Sequence, residues 1–139
     1  MAITQAFCNS YKLEILQGIH EAADTYKIAL YVSTATLSKA TTAYTATGEF
    51  SGTGYTAGGA TLAGFSATLD ADTAILDWTT DPTWPNATIT ARGALIYNAT
   101  QSNKAVAVLD FGADISSTNG TFTVTLPAPT AAAGLVRIG

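Results

Sequence analysis

The chain has 139 residues, a length that fits one domain built around one hydrophobic core. Only 12% of the residues are charged, against a usual ~25%, so Thr, Ser, Asn and Gly are expected to cover much of the surface and to lose little hydration on contact. The net charge of −4, with six basic residues scattered singly, excludes a nucleic-acid-binding protein, which needs clustered Lys and Arg.

The chain shows neither a secretory signal nor an apolar run near the ~20 residues of a membrane span. We therefore expect a protein that is assembled in the cytoplasm and has no membrane partner. We predict one domain over residues 1–139, in which residues 1–20 form an N-terminal segment with a short helix.

The first predicted element is a helix over Asn9–His20, with Asn9 or Ser10 as its cap. Its apolar side chains recur at helical spacing and predict one buried stripe: Tyr11, Ile15 and Ile19, widened by Leu16. The helix is too short to be stable alone, so we expect it to lie on the sheet or on a neighbouring subunit.

A strand is predicted from Tyr26, because apolar residues then alternate with a period of two as far as Val32. Residues 33–63 are small, polar and rich in glycine, and predict a long loop or arm. Phe50 and Tyr55 are isolated aromatic residues within it, and we expect them to be points of attachment to another protein.

Short strand-like runs then follow at even spacing: Phe65–Leu69, Ala74–Thr79, Ala87–Ala91, Ala94–Asn98, Ala105–Phe111, Thr121–Leu126 and Leu135–Ile138. Gln101–Asn103 predicts a hairpin turn, Asn119–Gly120 predicts another reversal, and Gly93 predicts a bulge or bend. The series predicts a mostly β fold, an antiparallel β-sandwich or jelly-roll-like barrel, with the helix and the Gly-rich arm attached.

Residues for catalysis are scarce. His20 is the only histidine and is expected to cap the end of the helix, and the single cysteine, Cys8, is expected to be a small buried apolar side chain. Four carboxylates cluster in sequence, but their spacing does not match a calcium loop, and we expect solvated positions in turns and on a strand face: Asp70, Asp72, Asp77 and Asp81. We predict no enzyme, no cofactor and no catalytic or metal site.

The two tryptophans are assigned different roles. Trp78 lies within a predicted strand and is expected in the core, whereas Trp84 lies between Pro82 and Pro85 in a predicted loop. Trp84 is therefore the aromatic residue expected to contact a partner, such as a glycan that stacks on its ring.

Several sequence blocks, in the same order, resemble a widespread family of small structural proteins of tailed-phage virions. The blocks span nearly the whole chain: Phe7–Lys12, Gly18–His20, Tyr26–Tyr31, Gly52–Gly59, Thr90–Asn98 and Lys104–Gly112. The resemblance brings no catalytic residues with it. It implies a part of the virion, and we expect a capsid decoration, or cement, protein that binds the outside of the major capsid shell and stabilises it.

The partners expected from this resemblance are the major capsid protein or other virion subunits, together with copies of the chain itself, a trimer being expected. The helix and the Gly-rich arm would dock, since each needs a partner surface to offset its ordering entropy. The candidate interface residues are Phe7, Tyr11, Ile15, Phe50, Tyr55 and Trp84.

Two alternatives stay open from the sequence. The same fold could be a tail, neck or baseplate component, or it could be a receptor- or glycan-binding module displayed on the particle. Copy number per particle separates the decoration protein from the tail component, and loss of glycan binding in a Trp84→Ala variant would support the glycan-binding module.

Overall fold

Two antiparallel sheets form the body of the molecule in a computed structural model that describes residues 2–127, 130 and 132–138. Within these residues the elements are β1 (Ala6–Phe7), α1 (Asn9–Leu16), β2 (Tyr26–Tyr31), β3 (Ala60–Thr61), β4 (Ala63–Asp70), β5 (Thr73–Thr80), β6 (Thr83–Asn98), β7 (Lys104–Thr123) and β8 (Val136–Ile138). A five-stranded sheet has the order β1-β7-β6-β2-β3, and a three-stranded sheet has the order β4-β5-β8. The predicted mostly β, sandwich-like fold with a short N-terminal helix is confirmed.

Aromatic side chains join the two sheets. The ring of Tyr26 on β2 lies 5.6 Å from that of Phe65 on β4 and 5.4 Å from that of Trp78 on β5. Trp78 is buried, as predicted, and residues of both sheets belong to one buried cluster. Aromatic pairs of this kind bury a large area and favour offset or edge-to-face geometry, so they fix the separation of the sheets.

Strand β2 is buried on both of its faces except at Lys27. The alternation in the sequence predicts that only one face of this strand packs in the core. The loop of residues 33–63 lies over the other face and buries it. The Tyr55 hydroxyl accepts the backbone N–H of Leu30 at 2.9 Å, and the Tyr31 hydroxyl donates to the carbonyl of Thr45 at 2.6 Å. A Cβ atom on Gly59 would lie 1.8 Å from the carbonyl oxygen of Ile28, so only glycine allows this approach.

Strands β6 and β7 are longer than the sequence predicted. Ala87–Ala91 and Ala94–Asn98 are one strand, and its register against β7 shifts between Ala91 and Gly93, which confirms the predicted bulge. The predicted hairpin turn at Gln101–Asn103 is also present and joins the two strands.

The reversal predicted at Asn119–Gly120 is wrong. Both residues lie inside β7, where Gly120 is paired with Ala87 and Asn119 has a φ of 47°. The positive φ of Asn119 therefore belongs to an irregularity in the pairing of β7 with β6. It does not mark a reversal of the chain, because the partner strand β6 continues past this point.

Helix α1 is shorter than predicted and ends at Leu16, with Gln17 as its C-cap and Gly18 at a φ of 71°. Cys8 occupies the N-cap position without a side-chain hydrogen bond, so the predicted cap by Asn9 or Ser10 is wrong. Leu16, which was predicted to widen the buried stripe, is exposed, while Glu14 is buried in its place.

Candidate interaction surface

An apolar groove runs between helix α1 and the three-stranded sheet. It consists of two adjoining cavities of about 400 Å³ and about 410 Å³, which share the side chains of Tyr11 and Ile15 from the helix and of Val136 and Ile138 from β8. The first cavity continues along β4 and β5, and the second continues along the N-terminal side of the helix past Phe7. The edge strand β8 forms one wall of the groove and pairs with β5 of the three-stranded sheet.

Large aliphatic side chains are exposed along this groove. Leu16 is 86% exposed, Leu69 is 75% exposed and Ile138 is 55% exposed. They make up three of the five large hydrophobic side chains that are exposed among the described residues. A contiguous apolar surface on an otherwise polar molecule is typical of a site that contacts another protein.

A polar cluster adjoins the groove, which it reaches through the lining residue His20. The imidazole of His20, whose side chain is 3% exposed, has Nε2 at 2.9 Å from Oε1 of Glu14 and Nδ1 at 3.1 Å from Nδ2 of Asn98. Oδ1 of Asn98 accepts the backbone N–H groups of Thr100 and Gln101, which fixes Nδ2 as the donor toward His20. Nδ1 of His20 is therefore the acceptor, and Nε2–H donates to Glu14.

Further charges surround this cluster. Nδ2 of Asn98 also donates to Oδ2 of Asp24 at 2.8 Å, and Nζ of Lys104 lies 3.7 Å from Oε2 of Glu14. Desolvation opposes ionisation of Asp24, but the hydrogen bonds from Asn98, Glu21 and Gln101 lower the pKa of its carboxyl. The cluster ties helix α1 to the β6–β7 hairpin.

The structure corrects the predicted role of His20. The ring lies beyond the end of the helix, but it bonds to the Glu14 side chain and to Asn98 instead of capping the last helical carbonyls. The rings of Tyr11 and Tyr26 flank it at 4.8 Å and 6.4 Å. Burial raises the pKa of Tyr11 to about 12.

The six candidate interface residues fall into two groups. Phe7, Tyr11 and Ile15 line the groove, whereas Phe50, Tyr55 and Trp84 lie together on the other side of the five-stranded sheet. Leu69 and Ile138 were not predicted from the sequence to line this surface. The one available signal was an aliphatic residue at the end of a strand, next to a turn for Leu69 and in a short edge strand for Ile138.

Trp84 is not in a surface loop, and the prediction that it presents its ring to a partner is wrong. It lies in β6, is 5% exposed, and packs at 6.1 Å from Tyr55 and 6.0 Å from Phe122. Its ring is covered by the 33–63 loop, whose own aromatic residues Phe50 and Tyr55 are half-buried and packed edge to face. The ring thus offers no open stacking face.

A carboxylate fixes the 33–63 loop. Oε1 and Oε2 of Glu49 accept the hydroxyl groups of Tyr55 and Tyr44 at 2.6 Å and 2.5 Å, and Oε1 also accepts the backbone N–H of Gly58 at 2.7 Å. The Tyr97 hydroxyl from β6 donates to the carbonyl of Gly58 at 2.6 Å. Desolvation and the bond to Glu49 raise the pKa of Tyr44 to about 12 and also raise that of Tyr55. The predicted loop is therefore folded onto the sheet.

The carboxylates expected in solvent are not all solvated. Asp77 is fully buried, and its carboxylate accepts the backbone N–H groups of Trp78 at 2.8 Å and of Leu135 at 3.3 Å. Burial raises the pKa of Asp77 above its usual range. Asp81 accepts the backbone N–H of Leu126 at 2.9 Å. No group of three or more metal-ligating side chains occurs in the part of the chain that the structure describes.

Cys8 is fully buried, as predicted. Burial, reinforced by the nearby carboxylate of Glu14, raises the pKa of its thiol to about 11, so the sulfur stays protonated and behaves as a small apolar group. Among the described residues, none of the helical structure is long and apolar enough to cross a membrane. No protein-family model, curated protein or solved structure matches this chain.

Proposed function

We propose that this chain is a structural protein of a tailed-phage virion, and that it is a capsid decoration protein. It binds the outside of the major capsid shell and stabilises the shell through contact area, without catalysing a reaction. Its assembly takes place in the host cytoplasm, without nucleic-acid or membrane partners.

The groove beside α1 is the observation that supports this proposal. Its exposed side chains Leu16, Leu69 and Ile138 would be removed from water when a neighbouring subunit covers them, at a gain of roughly 25 cal/mol per Å² of apolar surface. The rest of the surface carries few charges, so little hydration is lost when subunits pack side by side. The blocks that resemble phage structural proteins include Phe7–Lys12, which forms part of this same groove.

The structure changes which parts of the chain should dock. The 33–63 loop uses its aromatic residues and Glu49 within the molecule, so we assign docking to the helix side alone. This assignment keeps Phe7 and Ile15 as interface residues. Tyr11 lines the groove but is only 3% exposed, so it belongs to the core together with Trp84, while Phe50 and Tyr55 are half-buried against that core.

Quantitative mass spectrometry of purified particles tests the proposal by the ratio of this chain to the major capsid protein. A ratio from one to one down to one per few capsid subunits is expected for a decoration protein. A dozen or so copies per particle would place the protein in the neck, tail or baseplate instead. Its absence from purified particles would refute a virion role.

A further inference from the structure

Strand β4 has a long, regular edge without a neighbouring strand. It lies at the outer edge of the three-stranded sheet, and among the described residues it pairs with β5 alone, without a shift in register over residues 65–70. The edge strands β1, β3 and β8 have only two or three residues, and shifts in register interrupt β7 beyond its contact with β1. Proteins usually protect a long edge with Lys, Pro or a bulge, and residues 65–70 contain none of these.

The turn after β4 determines which of its backbone groups face outward. Asp70 and Thr73 form the last pair of the ladder on either side of a two-residue turn, so they exchange both of their backbone hydrogen bonds. Pairs with and without these bonds then alternate along an antiparallel ladder. The N–H and C=O groups that point away from β5 are therefore those of Phe65, Ala67 and Leu69.

The sequence of β4 is complementary to itself in one antiparallel register. When Ala67 lies opposite Ala67 of a second copy, Phe65 of each copy faces Leu69 of the other, and all of the outward-facing backbone groups are paired. Each such pair places an aromatic ring against Leu69, which is 75% exposed in the single chain, and cross-strand pairs of this kind stabilise a sheet. On the other face of the sheet Ser66 lies opposite Thr68, and their hydroxyl groups can form a hydrogen bond.

The charge of β4 does not oppose this register. Asp70 is the only charged residue of the strand, and it comes opposite Gly64 of the second copy. The two Asp70 side chains are then about 20 Å apart along the ladder, at ~3.3 Å per residue. This separation exceeds the Debye length of ~8 Å at physiological ionic strength, so their repulsion is screened.

We propose that two copies of this chain pair through the edges of β4, antiparallel about a twofold axis at Ala67, and so join their three-stranded sheets into one continuous sheet. Only an extended strand can bond to the outward N–H and C=O groups, and β4 itself supplies the matching side chains. A twofold axis gives two copies, where the sequence led us to expect a trimer. The contact uses Leu69 and leaves the helix wall of the groove to the capsid shell. It does not depend on a role in the virion.

Substitutions at the twofold axis give a direct test, with masses measured by light scattering on purified protein. Wild type is expected to have the mass of two chains. Ala67→Lys and Ala67→Glu should each weaken self-association at least about tenfold, because each places like charges directly opposite one another. Ala67 is exposed, so both variants should fold normally, which circular dichroism verifies.

Mixing the two variants is the decisive step. A residue on the twofold axis meets only its own copy, so a mixed pair brings Lys from one variant against Glu from the other. An equimolar mixture should therefore recover the wild-type mass, although neither variant does so alone. The matched control is Ala113→Lys, which changes an exposed alanine of the five-stranded sheet and should keep the wild-type mass.

Amide hydrogen exchange tests the register itself. As the protein concentration rises, protection should increase at the N–H groups of Phe65, Ala67 and Leu69, which then bond to the second copy. The N–H groups of Ser66 and Thr68 should change little, because they already bond to β5.

The inference is overturned by a wild type that has the mass of one or of three chains at every soluble concentration. It is also overturned by variants whose association is unchanged or does not recover on mixing, or by protection that does not increase in β4. The outcomes are separable from those of the particle experiment. A virion protein that is a single chain in solution would refute this inference and leave the proposed function standing, and a paired protein absent from particles would do the reverse.

Discussion

Hydrophobic side chains are covered on one side of the five-stranded sheet and partly exposed on the other. On the loop side, Trp84, Tyr55 and Phe50 are covered by the chain itself, and every hydroxyl near Glu49 has a partner. On the helix side, Leu16 and Leu69 remain exposed around an open groove. The difference teaches that isolated aromatic residues in a Gly-rich segment do not indicate an external partner, because their partner is the sheet beneath them.

Alkaline pH should have the largest effect, and the six tyrosines should contribute most of it, in addition to the buried thiol of Cys8. Burial raises the pKa of all six, to about 12 for Tyr11 and Tyr44, whereas an unfolded tyrosine titrates near ~10. The folded state therefore holds more protons than the unfolded state above pH ~10, and the free energy of unfolding falls as the pH rises through that range. Absorbance at the phenolate band should rise together with the loss of circular dichroism. Tyrosine ionisation well before unfolding would contradict the burial of these rings.

Trp84→Ala should lower the free energy of unfolding by about 3–5 kcal/mol, because it removes the ring on which Tyr55 and Phe122 pack and leaves a cavity. Urea denaturation followed by circular dichroism measures the change. A decrease in the free energy of unfolding below about 1 kcal/mol would mean that Trp84 is not covered by the 33–63 loop and that this side of the sheet is exposed in the same way as the groove.

Glu49→Gln should cost about 1–3 kcal/mol, because a neutral amide replaces the carboxylate that accepts two tyrosine hydroxyls and the Gly58 N–H. The matched control is Glu21→Gln, since Glu21 is exposed and its carboxylate has no hydrogen bond among the described residues. Amide hydrogen exchange should increase within residues 33–63 in the Glu49 variant alone. Equal exchange in both variants would show that another contact orders the loop.

Leu69→Ala should have the smallest effect, a change within about 0.5 kcal/mol in the stability of the single chain, because the side chain is already 75% exposed. The same denaturation measurement checks it, at a concentration low enough to avoid association. A loss comparable to that of Trp84→Ala would mean that Leu69 is covered within the molecule and would remove it from the groove.

Much of the fold could be predicted from the sequence, because period-two runs and turn residues are local signals. Strands β4 and β5, the turn between them and the hairpin turn before β7 all follow from such signals. The prediction of a reversal at Asn119–Gly120 is wrong because residues that tolerate a positive φ occur in bulges as well as in turns. The register of the opposite strand decides which of the two forms.

The candidate site was only half predictable. Helical spacing brought Tyr11 and Ile15 to one surface, and both do line the groove. The exposure of Leu69 and Ile138 depends on how the three-stranded sheet packs against helix α1, which is a tertiary property. The role of Glu49 had a signal that went unused, a lone carboxylate in a charge-poor segment with Tyr44 and Tyr55 close by in sequence.

The walls of the groove come from opposite parts of the chain, residues 9–16 in α1 and residues 136–138 in β8. During synthesis the helix leaves the ribosome long before the strand that completes the depression beside it. A chain that is still being synthesised therefore has no complete groove until β8 has been translated and has paired with β5, and any partner that needs the whole groove can bind only after that point.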